Sequence, residues 1–228
     1  MSASVTGEPA SRLLDGMARS VAARGYSETT IADIVREAAV SRRTFYEHFA
    51  TKAECLIALY ESASHHALDV LRNAIDPKQH WEAQVERALS AYLATMAANP
   101  ALMRTLFIEI LGLGPAGLAA RRRVNQQIAD FIIVVTSTSP AKGRRALSPQ
   151  LAMAIVGGIN ELVLTYIERD RLSDVMDVVV PASELVRAAA LVQDSAPKAA
   201  AKARPSPAEG AQRTRQRPSV DPDRKSVV

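Results

Sequence analysis

The stretch Thr29–Lys52, TTIADIVREAAVSRRTFYEHFATK, constrains this 228-residue chain most. Ile31, Ile34, Val35 and Ala38 fall on one face at helical spacing, with Thr29 or Thr30 ahead of them as an N-cap. Val40 then occupies a turn, and Ser41 is placed to cap a second short helix ending near Phe49. In that helix Phe45 and Phe49 lie four residues apart and point inward. Arg42, Arg43 and Tyr46 are left on the outer side, and Thr44 and His48 share a further face. Thr51-Lys-Ala-Glu54 has the form of a capping box opening another helix. Upstream, Leu13, Leu14, Met17, Ala18 and Val21 form one apolar face, with Gly25 as the residue that ends it.

Two short helices at a tight turn, on a third helix, form a helix-turn-helix. A major groove admits one α-helix, and base edges are read there by short-range hydrogen bonds. The reading helix must be short, rigidly docked and polar outside. The helix after Ser41 meets these demands, and Arg suits guanine because its fork matches O6 and N7. Lys52, opening the next helix, is placed to grip a phosphate together with that helix N-terminus. The plainer alternative is a three-helix packing unit with a solvated charged face.

The string is more specific than the pattern. Gly25-Tyr26, Thr29-Thr30-Ile31-Ala32-Asp33-Ile34, Ala39-Val40-Ser41, Thr44-Phe45-Tyr46-Glu47-His48-Phe49 and Lys52-Ala53-Glu54 together resemble the DNA-binding domain of the TetR family of bacterial transcriptional regulators (TetR/AcrR type). The resemblance spans Arg12 to about Leu71. It implies that Thr30, Thr44, Tyr46, His48 and Lys52 stand at the family's phosphate- or groove-contacting positions. It also implies that Arg42 and Arg43 stand at variable positions that tune operator choice. Ala39 departs from the glycine often found in the family's turn, and is expected to be tolerated with φ negative.

Asp76-Pro77 interrupts the pattern. Longer helical segments come next at about 81–98, 100–111, 116–136 and 149–170, with a polar break at 137–148 and a last helix from Pro181 to about Gln193. The expected fold is all-α: an N-terminal three-helix helix-turn-helix domain, then a larger antiparallel helical domain, about nine helices in total. The expected organisation is a disordered arm over 1–10, the DNA-binding domain over 11–72, a ligand-binding and dimerisation domain over 77–194, and a disordered basic tail over 195–228.

The assignment of ligand binding and dimerisation follows from the resemblance, with some support from the residues. Leu151, Ile155, Gly158, Ile159, Leu162 and Tyr166 give one helix a broad apolar face around Gly157-Gly158, and Leu185 and Ala189 extend it on the last helix. Two such helices from each subunit would make a four-helix homodimer interface; the alternative is the core of a monomer. Trp81, Tyr92, Met96, Met103, Phe107, Phe131 and Met153 are candidates to line a cavity for a hydrophobic small molecule, or else plain core. Asn160, with Glu109 and Glu161, would add polarity.

Composition excludes several classes. The chain carries one cysteine, Cys55, and so no intrachain disulfide, which suits a reducing cytosol. The N-terminus has no secretory apolar run, and the longest fully apolar stretch is too short to span a bilayer, so a cytoplasmic protein is expected. His65 and His66 are adjacent and point about 100° apart on a helix, so no metal site is expected. No GxSxG or P-loop pattern occurs, and neither an enzyme nor a cofactor is expected. The net charge of +4 divides unevenly: from Ser195 onward eight basic residues face three acidic ones, a net of +5, leaving −1 elsewhere. That tail is either a solvated extension or a sequence-independent DNA clamp.

The expected function is a homodimeric regulator, a repressor released from a palindromic double-stranded operator by a small hydrophobic effector. The alternatives are a ligand-independent regulator or activator, and a helical small-molecule- or partner-binding protein whose head reads no operator.

Overall fold

The computed structural model describes residues 7–76, 78–137 and 147–192. The expected basic tail therefore lies outside the described residues, as does most of the polar break. Among the described residues the chain is all-helical: α1 (Glu8–Glu28), α2 (Ile31–Ala38), α3 (Arg42–His48), α4 (Lys52–Ala74), α5 (Trp81–Ala97), α6 (Pro100–Arg104), α7 (Ile110–Gly112), α8 (Pro115–Ser137), α9 (Pro149–Glu168) and α10 (Val179–Val192). A π-helical turn, Thr105–Glu109, joins α6 to α7, so Pro100–Gly112 is one interrupted helix and the α-helices among the described residues number nine. A 3₁₀ segment, Leu172–Val178, precedes α10 and moves its start ahead of Pro181.

Helix α1 begins at Glu8, with proline in its first turn, so the arm is shorter than the expected 1–10. Ala10 is already fully buried. Gly25 breaks the helix with φ 78, and helical bonding resumes as far as Glu28. Thr30 caps α2 in a reciprocal box with Asp33, Ser41 caps α3 through the Thr44 amide, and Thr51 caps α4 through the Glu54 amide.

Three arginines on α1 hold α2. Arg12 donates to the carbonyls of Ala38 and Ala39 at 3.0 and 2.6 Å, satisfying the end of α2. Arg19 pairs with Glu37, and Arg24 reaches Asp33 at 3.1 Å. Asp33 also receives Arg36 at 2.7 Å and the Thr30 hydroxyl at 2.6 Å. Hydrogen bonds from the Thr30 side chain and backbone, then the two guanidinium groups, hold its carboxyl down at about 2 against an ordinary 3.8. A depressed acid stabilises the fold above its unfolded pKa, and that contribution disappears as pH falls through the folded value. The melting-temperature gap between the wild type and Asp33→Asn should therefore be full at neutral pH and close as pH falls from about 4 to about 2.

Ala39 corrects an expectation. Its φ is +50 and ψ +48, so alanine occupies the left-handed region between α2 and α3. Its amide bonds back to Arg36 and Val35, and Arg12 fixes its carbonyl, so the turn holds the strain. Ala39→Gly should stabilise the protein by about 0.5–1 kcal/mol, measured by urea unfolding; a loss of stability would contradict the strained turn.

Two apolar clusters organise the chain. One holds Leu13, Met17, Ile34, Phe45, Phe49, Leu56 and Leu59, and is closed by Leu106, Ile110, Ala120 and Val124. Residues 11–72 thus do not close their own core; the π turn, α7 and α8 complete it. The other joins α5, α9, the 3₁₀ segment and α10 through Leu93, Ile155, Val163, Val175 and Val186. Helix α9 is long and apolar enough to cross a bilayer by length and composition, although polar residues such as Asn160 and Glu161 interrupt its apolar run. Here Ile155, Ile159, Val163 and Ile167 carry its inward face into this second core.

Candidate nucleic-acid interface and internal cavity

Phe45 is fully buried and Phe49 nearly so, and their rings stand 5.8 Å apart against the head core. They fix α3 to α1 and α4 with its other face outward. On that face Tyr46 is 59 % exposed, its ring edge-on to Phe45 at 5.6 Å. Arg42, Arg43 and His48 are exposed. Arg43 bonds to Glu47 at 3.0 Å along the helix surface, a bond that solvent or a phosphate can replace. Arg42 has no ion pair among the described residues. The Ser41 and Thr44 hydroxyls lie 2.9 Å apart at the start of α3, where backbone amides also point outward. Arg42 and Tyr46 therefore share one accessible, hydrogen-bonding side of α3, and His48 is exposed on its other flank beside Thr44.

Two residues named from the sequence are engaged within the chain. The Thr30 hydroxyl donates to Asp33 Oδ2 and accepts from the Asp33 amide. Lys52 Nζ donates to the carbonyls of Tyr26 and Thr29 at 2.7 Å each and of Ser27 at 3.4 Å, and sits 4.2 Å from the Tyr26 ring centroid. An ammonium has three donors, and all are used. Lys52, expected at a phosphate, is here held by carbonyls of its own chain. The break after Gly25 leaves carbonyls that need a donor, and Lys52 supplies it from a distant point in the sequence.

Between the head and the second core lies a cavity of about 370 Å³. It is bounded by α1 (Leu14, Asp15), α4 (Tyr60, Ala63, His66), α5 (Tyr92, Met96), the stretch around the π turn (Met103, Leu106, Phe107) and α8 (Arg121, Asn125). A second, mostly apolar lobe of about 60 Å³ lies along Leu89, Phe131, Val135, Val156 and Val186. Tyr92, Ile128 and Asn160 line both lobes. Of the pocket residues named from the sequence, Tyr92, Met96, Met103, Phe107, Phe131 and Asn160 line this space. Trp81 is buried in the second core and Met153 packs on a small cluster beside it; neither lines the cavity. Glu161 is exposed, and Glu109 reaches the head instead.

Buried Asn160 donates to half-buried Asn125 Oδ1 at 3.2 Å, so the two amides are linked beside the cavity. One turn before Asn125, half-buried Arg121 lines the mouth. Burial pushes the Tyr60 hydroxyl up to about 12, and Arg121 opposes that rise. Burial likewise raises Cys55 to about 12, which keeps it an unreactive thiol. Arg121 escapes a sequence reading because an arginine in an Arg-Arg-Arg run reads as solvated surface.

The residues named for an interface between subunits divide. Ile155, Ile159 and Ala189 are buried within the protomer and face its own core. Leu151, Gly158, Leu162 and Tyr166 are half-buried, and Leu185 is exposed and close to Gly158. The outer face of α9 and α10 instead carries Ala154, Gly157 and Glu161 beside Val180, Glu184, Leu185 and Ala188. Periodicity alone merges the inward and outward faces of a broadly apolar helix.

Residues 13–59 match the family model described as bacterial regulatory proteins, tetR family. The match falls within the helix-turn-helix head. The fatty acid metabolism regulator protein of Bacillus subtilis (strain 168) is 20% identical over 171 residues, which is 72% of this chain and 87% of that protein. The structure of FadR from Bacillus subtilis in complex with stearoyl-CoA superposes with a TM-score of 0.67 at 18% identity, over 77% of this chain and 96% of that one. The fatty acid degradation regulator FadR from Bacillus halodurans gives 0.66 at 17%, over 79% and 95%. At such identities the likeness is one of fold, and it runs through the C-terminal helices as well as the head.

Proposed function

We propose that this protein is a homodimeric repressor whose α3 helices read a palindromic operator and whose cavity takes an effector that releases it. The observation that carries the DNA reading is that Arg42, Tyr46 and His48 are all exposed on a helix anchored by buried Phe45. One such helix reads too few base pairs, so a two-fold pair is needed, with half-sites about one helical turn or more apart. The small-residue outer face of α9 and α10 is where two protomers would meet; a Cβ on Gly157 would meet nothing within 4 Å inside the protomer. In this reading the protein acts in the cytoplasm, and neither catalysis nor a cofactor has a part.

The cavity supports an elongated amphipathic effector. Its smaller lobe is mostly apolar, and its larger lobe is lined by Arg121, which has no ion pair among the described residues and is available to an anionic head. The FadR structure in complex with stearoyl-CoA makes a long-chain acyl thioester the first compound to try. The test is nuclease protection of the DNA flanking the protein's own gene. Two symmetric protected half-sites that stearoyl-CoA clears would support the whole reading. Protection that persists at saturating stearoyl-CoA would retain the regulator and reject this effector; no protected site would reject the regulator.

A further inference from the structure

A π turn is rare inside a helix and recurs where function outweighs local stability. The one at Thr105–Glu109 separates its neighbours by side chain. Leu106 belongs to the head core, Phe107 packs on the second core, and Met103 just before the turn packs on both. All three line the larger cavity lobe. Glu109, at the end of the turn, points the other way: its Oε1 accepts from the backbone amide of Tyr26 at 3.4 Å, just after the break at Gly25. From the opposite side Lys52 holds the Tyr26, Ser27 and Thr29 carbonyls of the same joint. Lys52 opens α4, three residues after Phe49 closes α3.

We propose that Glu109 is the positioning residue through which occupancy of the larger lobe sets the orientation of α3. The proposal rests on the DNA-reading function above and deepens it. A molecule in the lobe presses on Met103, Leu106 and Phe107. Rewinding the π turn to α geometry removes one residue from the turn and rotates the helix beyond it by about 100°. Glu109 cannot then stay on the Tyr26 amide. The joint between α1 and α2 loses its Glu109 tie to the cavity wall and keeps its Lys52 tie to α4, so the head shifts on the core that Leu106 and Ile110 close. A π turn has two discrete arrangements, which is what a switch needs. Arg123 of α8 pairs with Glu61 of α4 at 2.6 Å in an exposed contact that does not involve the joint residues.

A built-in occupant tests this without a known effector. Ala63 lines the lobe from α4, and Ala63→Phe fills part of it; His66→Trp, on the same wall, serves if that variant fails to fold. Operator affinity of the full chain is measured for Ala63→Phe, Glu109→Ala, Glu109→Gln and the combinations, with thermal unfolding alongside. The occupant should weaken operator binding about tenfold or more with Glu109 present and less than about twofold with Glu109→Ala. Glu109→Gln, which keeps an acceptor oxygen, should restore the response. An equal effect of Ala63→Phe in both backgrounds, or none in either, overturns the proposal. Hydrogen exchange at the Tyr26 amide reads the same link without DNA. It should quicken by about tenfold or more in Ala63→Phe and Glu109→Ala alike, without adding in the double variant. Unchanged exchange in Ala63→Phe overturns the proposal whatever the operator does, whereas failure of the wild type to bind any operator is a failure of the DNA reading alone.

Discussion

Gly117→Ala should destabilise the protein by about 3 kcal/mol or more, a fall in melting temperature of about 6–12 °C for a chain of this size. A Cβ at Gly117 would stand 1.8 Å from the Ile110 carbonyl oxygen and 3.0 Å from its carbon. Those are backbone atoms of α7, so no rotamer relieves the clash and the α7–α8 crossing must open. That crossing also carries Ile110, Ala120 and Val124 into the head core, so the damage should reach the DNA-binding half. Gly157→Ala is the control. It sits mid-helix with open space around its Cβ, and should stabilise an isolated protomer by about 1 kcal/mol. A Gly157→Ala variant that instead weakens self-association would place that glycine at a close contact between copies. Thermal unfolding with sedimentation separates the two effects, and a Gly117→Ala protein as stable as wild type would refute the crossing described here.

Arg42→Ala/Tyr46→Ala should leave folding nearly unchanged and cost about 2–4 kcal/mol of operator binding per head, roughly 30- to 1,000-fold. Both side chains are exposed, and neither buried phenylalanine that seats α3 is altered. Deleting Arg42 removes a guanidinium that has no ion pair to lose among the described residues, so its effect should appear on DNA and not on the melting curve. Arg43→Ala should cost less, because Arg43 must first leave Glu47. Lys52→Ala should instead lower stability, since it strips donors from three carbonyls and a cation from the Tyr26 ring.

The head was legible in the sequence because its signals are local. Ser41 and Thr51 each cap a helix three residues before the amide they satisfy, and the spacing of Phe45 and Phe49 states which face is inward. The features that escaped depend on distance in the chain or on backbone geometry. Lys52 finds its carbonyls some 26 residues away, and Arg12 finds the end of α2 at a similar remove. The left-handed Ala39 gives no sign in its residue type, since a glycine there would have announced the turn. The π turn has no composition of its own; Thr105–Glu109 reads as ordinary helix. Pro9 was the one clue to the early start of α1, and it reads equally well as part of an arm. Six of the eight named residues line the cavity, while Trp81 and Met153 show that large polarizable side chains also fill solid core.

The most direct measurement is a salt-dependent binding titration of the full chain on DNA flanking its own gene, with wild type beside Arg42→Ala/Tyr46→Ala. The account predicts saturable, sequence-selective binding by the wild type that the variant loses at every salt concentration while melting at the same temperature. Equal, weak binding of both proteins to every fragment, with the same dependence on salt, would contradict it, because α3 would then not be the element that reads DNA.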